Sequence, residues 1–340
     1  MSAVETVAGA PVLPSLQGRM RLVALPVAAA IFLYIAIILW AGAGDVGRAF
    51  ARIGAPVAFG CLALATANFA LRFARWQIYM RRLGHALPWG RGFRIYLAGF
   101  ALTVSPGKVG ETIRAPFFKR LGVPYPHSLS AFLNERLSDL GALVLMSMIG
   151  IAAYPRFGWI AIGVAAAIGL ALGLIALERR MAPSASAPAS ILGKALRELR
   201  RILQSARVCH GLGITSAALA LSFAAWAAEA LALALIAPRF GISLSIPFAL
   251  FAFSVAILAG AVSFIPAGIG GTEAVIALLL VGQGFGPADA VAAALVMRLT
   301  TLWFAVLVGA VALQLELLAA RREHGPERPP AKAGAPSLTL

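Results

Sequence analysis

Two glutamates and two arginines stand at matched spacing in an otherwise apolar chain: 25 positions separate Glu111 from Arg136, and 25 separate Glu273 from Arg298. Each glutamate closes a run rich in proline and glycine. The first run is Ser105-Pro106-Gly107-Lys108-Val109-Gly110-Glu111, and the second is Ile265-Pro266-Ala267-Gly268-Ile269-Gly270-Gly271-Thr272-Glu273. Each arginine opens a related motif, Arg136-Leu137-Ser138-Asp139-Leu140 or Arg298-Leu299-Thr300-Thr301-Leu302, with Glu135 just ahead of the first. A planar guanidinium offers paired donors that suit a phosphate, and a desolvated carboxylate beside it can exchange a proton. The same residues also fit a buried Glu–Arg ion pair that fixes helix register and touches no ligand, each glutamate capping a short helix against its dipole. The residue types leave both readings open.

The backbone around these groups carries its own chemistry. Pro106 with Gly107 and Gly110, and Pro266 with Gly268, Gly270 and Gly271, interrupt apolar segments and free amides and carbonyls that lipid cannot satisfy. Such backbone is expected to line a cavity; a tight turn between helices is the plainer alternative. The candidate binding or gating residues are these prolines and glycines together with Glu111, Glu135, Arg136, Asp139, Glu273 and Arg298. Glu229, Arg72 and Arg75 also lie in apolar spans, where ionisable groups usually face a bundle interior. Arg72, Arg75 and Trp76, near the end of their span, are read as snorkelling to the interface. The sequence holds no Gly-x-x-x-x-Gly-Lys-Ser/Thr loop, no His-Glu-x-x-His pair and no serine elbow. His85, His127, His210 and His324 are scattered, and Cys61 and Cys209 have no partners at ligand spacing. No catalytic residue, metal or cofactor is expected, although a membrane-embedded transferase can work with a few acids and arginines alone.

The elements that must position these groups are helices in a membrane. Hydrophobic residues make up 61% of the chain and charged ones 12%, more apolar surface than one soluble core can hide. Apolar stretches at Val23 to Trp40, Pro56 to Ala70, Ile160 to Leu177, Ile214 to Ile236 and Phe248 to Ile265 approach the ~20 residues of a spanning helix. No alternating pattern supports a barrel. Arg19 and Arg21 precede the first stretch, which reads as an uncleaved span rather than a signal peptide. Residues 1–18 and 321–340 read as disordered tails around a membrane domain, 19–320. Within it a basic linker, 178–207, divides repeat one, about 56–152, from repeat two, about 212–318. A Gly-x-Pro turn falls between glutamate and arginine in each copy, Gly122 to Pro124 and Gly284 to Pro287, offset by one or two positions.

The net charge of +16 does not point to nucleic acid, because the basic residues sit in short segments between apolar runs, as anchors to an anionic leaflet do. With both termini in the cytoplasm of a bacterial inner-membrane protein, and with Glu111 to Leu121 and Glu273 to Gln283 crossing as half-length pieces, twenty basic residues fall inside, Arg114 among them. Only Arg48, Arg52, Arg156 and Arg239 fall outside. The expected fold is therefore all-α: about eight long transmembrane helices and two half-length broken ones, in an inverted internal repeat around a midplane cavity.

The runs 105–112 and 266–273 and the Asn-Glu-Arg-Leu-Ser-Asp run at 134–139 resemble signatures of the lysylphosphatidylglycerol synthase transmembrane domain, a flippase-like family with stand-alone members of this size. The likeness extends from about Val57 to Leu318. It implies a fold that accommodates an amphipathic lipid between leaflets, and links to other lipids such as polyprenyl carriers and hopanoids. The chain ends soon after its last apolar run, so the aminoacyl transfer of the synthases' soluble domain is not carried over. The function expected is binding or translocation of an anionic or isoprenoid lipid. The alternatives are a membrane-embedded enzyme of lipid metabolism, and an accessory protein that recruits a cytoplasmic partner through the basic linker.

Overall fold

The computed structural model describes residues 43–153, 191–262 and 265–323, with single positions at 32, 39, 169 and 173. The apolar stretches at Val23 to Trp40 and Ile160 to Leu177, both tails and most of the linker before residue 191 lie outside the described residues. Every described element is helical, and no strand occurs among them. The first helix, α1, runs Ala43–Arg82 and kinks at Gly54, where φ is +71°, two residues before Pro56. Helix α2, Trp89–Ala98, continues as a 3-10 turn, Gly99–Leu102, and meets a second 3-10 segment, Pro106–Ile113, that leads into α3, Arg114–Arg120. Helix α4 is Tyr125–Ala153, the amphipathic basic helix α5 is Ile191–Val208, and α6 is Leu212–Ile236. Helix α7, Ile246–Val262, leads to a short 3-10 turn, Pro266–Gly268, and α8, Gly271–Val281. Helix α9, Pro287–Arg298, passes through a π segment, Leu299–Trp303, into α10, Phe304–Glu323.

Three helical stretches among the described residues are long and apolar enough to cross a membrane: Gly47–Arg82, Leu212–Phe240 and Pro287–Ala320. Helices in lipid are apolar all round, so their polar and small residues mark the inward face. On α1 the buried series Cys61, Ala65, Asn68, Arg72, Trp76 and Tyr79 recurs at helical spacing and lies along α6, where Asn68 donates to the Ala225 carbonyl at 2.8 Å.

The ends of the bundle follow from contacts between elements distant in sequence. At one end Arg82 reaches the Val208 carbonyl, His85 meets His127, and Arg94 pairs with Glu316. At the other end Arg52 pairs with Asp289, and Phe240 packs on Phe285. These contacts fix the course of the broken segments. From the first end α2 runs inward, and the returning arm with α3 lies back alongside it, so close that a Cβ on Gly99 would stand 2.9 Å from the Glu111 carbonyl oxygen. From the opposite end α7 runs inward and α8 returns, with Gly260 against Gly268 and Thr272 at the bend. Glu111 to Leu121 and Glu273 to Gln283 are thus the returning arms of two hairpins rather than pieces that pass through. The stretch from Phe248, read as a full span, is a 17-residue helix ending at this bend. One apolar core gathers around the α7–α8 hairpin and a second, rich in aromatic rings, around α2 and α3.

Candidate functional site

Both hairpin tips have the same local backbone. Ser105 and Ile265 are extended, a proline follows, and the next two residues turn left-handed: Gly107 and Lys108 at φ +60° and +57°, Ala267 and Gly268 at φ +54° and +64°. Proline fixes its own φ and prevents the incoming helix from continuing. The left-handed pair then reverses the chain. Lys108 and Ala267 hold this conformation without being glycine, which costs about 1–2 kcal/mol each, and strain of this kind concentrates at functional sites. The two tips lie against one another. Gly110 carries no side chain because a Cβ there would meet the Leu102 carbonyl, and its N–H donates to Ser105 Oγ at 2.6 Å.

Behind the tips lies a buried ionic layer. In the second half Arg298 Nε donates to Glu273 Oε1 at 2.7 Å, while its Nη2 donates to the carbonyl of left-handed Ala267 at 2.7 Å. Glu273 caps its own helix by accepting the Gly270 N–H at 2.7 Å, with Gly271 as the first helical residue. In the first half the matched pair is looser and part of a network. Glu111 lies 3.6 Å from both Arg72 and Arg136 and accepts the Thr103 hydroxyl at 2.8 Å. Arg136 also pairs with Asp139 at 3.2 Å. Arg75 is the hub, bonded to Glu135 at 3.0 Å, Ser138 at 3.1 Å, Asp139 and Ser222. Glu135 also accepts from Tyr96 at 2.6 Å and from Arg114, and Asp139 accepts the Trp226 indole N–H at 3.0 Å.

Two sequence expectations are corrected here. Arg72, Arg75 and Trp76 do not snorkel; they are buried, because the α2–α3 hairpin folds over this stretch of α1 and supplies the carboxylates and rings that enclose them. Nor is Arg114 a cytoplasmic anchor: its guanidinium lies 4.0 Å from the Trp76 ring centroid and pairs with Glu135.

A cavity of about 220 Å³ lies where the tips meet. Of the candidate residues, Gly107, Gly268 and Arg298 are on its wall; Glu111 and Glu273 stand behind as partners of the lining Arg72 and Arg298, while Glu135, Arg136 and Asp139 belong to the ionic network around Arg75. The candidate set left out Arg72, Lys108, Trp226 and Glu229, which also line it, although Arg72 and Glu229 are legible in the sequence as ionisable groups in apolar spans. The signal for Glu229 was present, since it is the one charged residue in α6. Arg72 is buried, yet its Nε and Nη2 find no hydrogen-bond partner among the described residues. The Lys108 ammonium lies 5.0 Å from the Trp226 ring centroid. Phe69, Phe100, Ile257 and Leu302 supply apolar wall, and Thr103, Ser105, Thr272 and Thr301 add hydroxyl groups to it. Three cations against one carboxylate, in a chamber with apolar and hydroxyl walls, suit an anion attached to a hydrocarbon.

Residues 27–309 match the family model for the lysylphosphatidylglycerol synthase TM region. The chain is also similar to a UPF0104 membrane protein of Methanothermobacter thermautotrophicus, 27% identical over 307 residues, which covers 84% of this chain and 90% of that one.

Proposed function

The chain belongs to the family of lysylphosphatidylglycerol synthase TM regions, and on that premise we propose that it binds an amphipathic lipid by its anionic head group and carries it between the leaflets. The observation that carries this reading is the cavity at the hairpin tips, where Arg72, whose Nε makes no hydrogen bond among the described residues, stands beside Lys108 and Arg298. Hydrogen bonds from charged donors contribute about 1.5–3 kcal/mol each. Glu111 and Glu273 hold the arginines in place and gate access by fixing the two tips. In this reading the halves form an inverted repeat, each built around one of the two hairpins. Its hairpins enter from opposite faces of a bacterial inner membrane, and the basic end, with both termini, is cytoplasmic. A phospholipid and a polyprenyl phosphate share the phosphate chemistry that the cavity fits.

The test is lipid movement in liposomes holding the purified protein, with labelled phosphatidylglycerol and, separately, a labelled polyprenyl phosphate. Lys108→Gln removes a lining charge that holds no ion pair within 4.0 Å among the described residues, so the variant should fold. It should slow movement about tenfold or more, the equivalent of one charged hydrogen bond. Wild-type protein that neither binds nor moves either lipid would refute the reading.

A further inference from the structure

Five carboxylates stand in or behind the cavity, and four are engaged by arginine: Glu111 by Arg72 and Arg136, Glu135 by Arg75 and Arg114, Asp139 by Arg75 and Arg136, and Glu273 by Arg298. Glu229 is the exception. It is buried, lines the cavity, and makes no ion pair within 4.0 Å among the described residues. The charges that face it come from four elements: Lys108 from the first tip, Arg72 from α1, Arg298 from α9 and, as a like charge, Asp139 from α4. Arg72 and Arg298 are already paired with Glu111 and Glu273, and Asp139 with Arg75. Lys108 makes no ion pair within 4.0 Å among the described residues; the other carboxylates that face it, Glu111 and Asp139, are already paired with arginine, so it is the lining cation left to balance Glu229. Its ammonium sits over Trp226, one helical turn before Glu229 on the same face of α6.

We infer that Glu229 is the proton-carrying group of this cavity: ionised opposite Lys108 when the cavity is empty, and protonated when an anionic head group takes Lys108 as its partner. The inference rests on the lipid-binding reading and deepens it. A carboxylate in a dry chamber is tolerated only while a cation compensates it, and otherwise takes up a proton. A phosphodiester bound to Lys108 and Arg72 brings one negative charge. The Glu229 carboxylate then accepts one proton from solvent to become a carboxylic acid, and the charge of the cavity is unchanged. Release of the lipid on the other side restores the Lys108–Glu229 balance and returns the proton there. A pH difference across the membrane would thereby drive an anionic lipid towards the less acidic side.

The experiment measures binding of fluorescent phosphatidylglycerol and, separately, of a fluorescent polyprenyl phosphate to the whole purified protein in weakly buffered detergent, with a pH indicator recording protons taken up. Wild type should take up about one proton per lipid bound, and its affinity should rise about tenfold for each unit of acidification where the empty site is ionised. Glu229→Gln should bind the lipid with no proton uptake and a flat pH profile, whereas Glu229→Asp should retain both responses. Binding by wild type without proton uptake would overturn the inference and leave the lipid-binding reading standing, a result that needs no variant to fold. Proton uptake that survives in a folded Glu229→Gln protein would overturn it as well. Absence of any phosphatidylglycerol or polyprenyl phosphate binding would refute the lipid reading itself, and this inference with it.

Discussion

Arg298 ties three things together, and its replacement should show how tightly. Its guanidinium binds Glu273 and also the carbonyl of Ala267, a left-handed alanine at the second hairpin tip. The Glu273 side chain is only 3% exposed. Arg298→Ala leaves that buried carboxylate without its guanidinium, a change that costs about 3–5 kcal/mol. Glu273→Gln strands the arginine and should cost a comparable amount. Combining Glu273→Gln with Arg298→Ala removes both charges, so the double variant should be little worse than either single one, with a coupling energy of about 2–3 kcal/mol. Thermal unfolding of the four proteins in one detergent, followed by circular dichroism, supplies the cycle. Single-variant losses that simply add, with coupling below about 0.5 kcal/mol, would refute the view that this pair holds the tip against the cavity wall.

Gly309 on α10 touches the backbone of Ala101 and Phe100 so closely that a Cβ has nowhere to go; Gly309→Ala should lower stability by about 1–3 kcal/mol or prevent folding, read as loss of monodisperse protein on gel filtration. Lys108→Gly removes left-handed strain of about 1–2 kcal/mol at the cost of about 0.5–1 kcal/mol of chain entropy. The variant should therefore unfold slightly later than wild type while binding anionic lipid less well, a split that a merely structural lysine would not produce. At the basic end His85 lies 2.7 Å from His127, and burial together with that neighbour lowers its pKa from the usual 6.5. The unfolded chain therefore binds more protons in this window, so the contact contributes fully above pH 6.5 and is lost as pH falls through and below it. The stability advantage of wild type over His85→Gln should shrink between about pH 8 and about pH 5.

Much of the architecture was legible because the chain writes its exceptions against an apolar background. Proline with glycine in a hydrophobic run can only be a break, and both hairpin tips fall at such runs, Pro106 to Gly110 and Pro266 to Gly271. An arginine or glutamate at membrane depth must find a partner, and the pairs read from equal spacing, Glu111 with Arg136 and Glu273 with Arg298, are within 3.6 Å and 2.7 Å. The expectation that each hairpin's second arm passes through was set by counting charges. Charge counting sees which end a residue favours but not how deeply a returning arm packs, and Arg114 was misplaced for that reason.

Residue type, spacing and hydrophobicity by themselves determined that this is a helical membrane protein with two proline-broken segments and paired intramembrane charges, since each follows from what lipid forbids an isolated segment to expose. The tertiary structure alone decided which of those charges face a cavity. Arg75 finds Ser222 across 147 residues, and Arg298 reaches Ala267 across 31. Lys108 and Glu229 face one chamber only because two hairpins bring their tips together. Burial and charge balance are properties of that assembled neighbourhood, and no single helix carries them in its sequence.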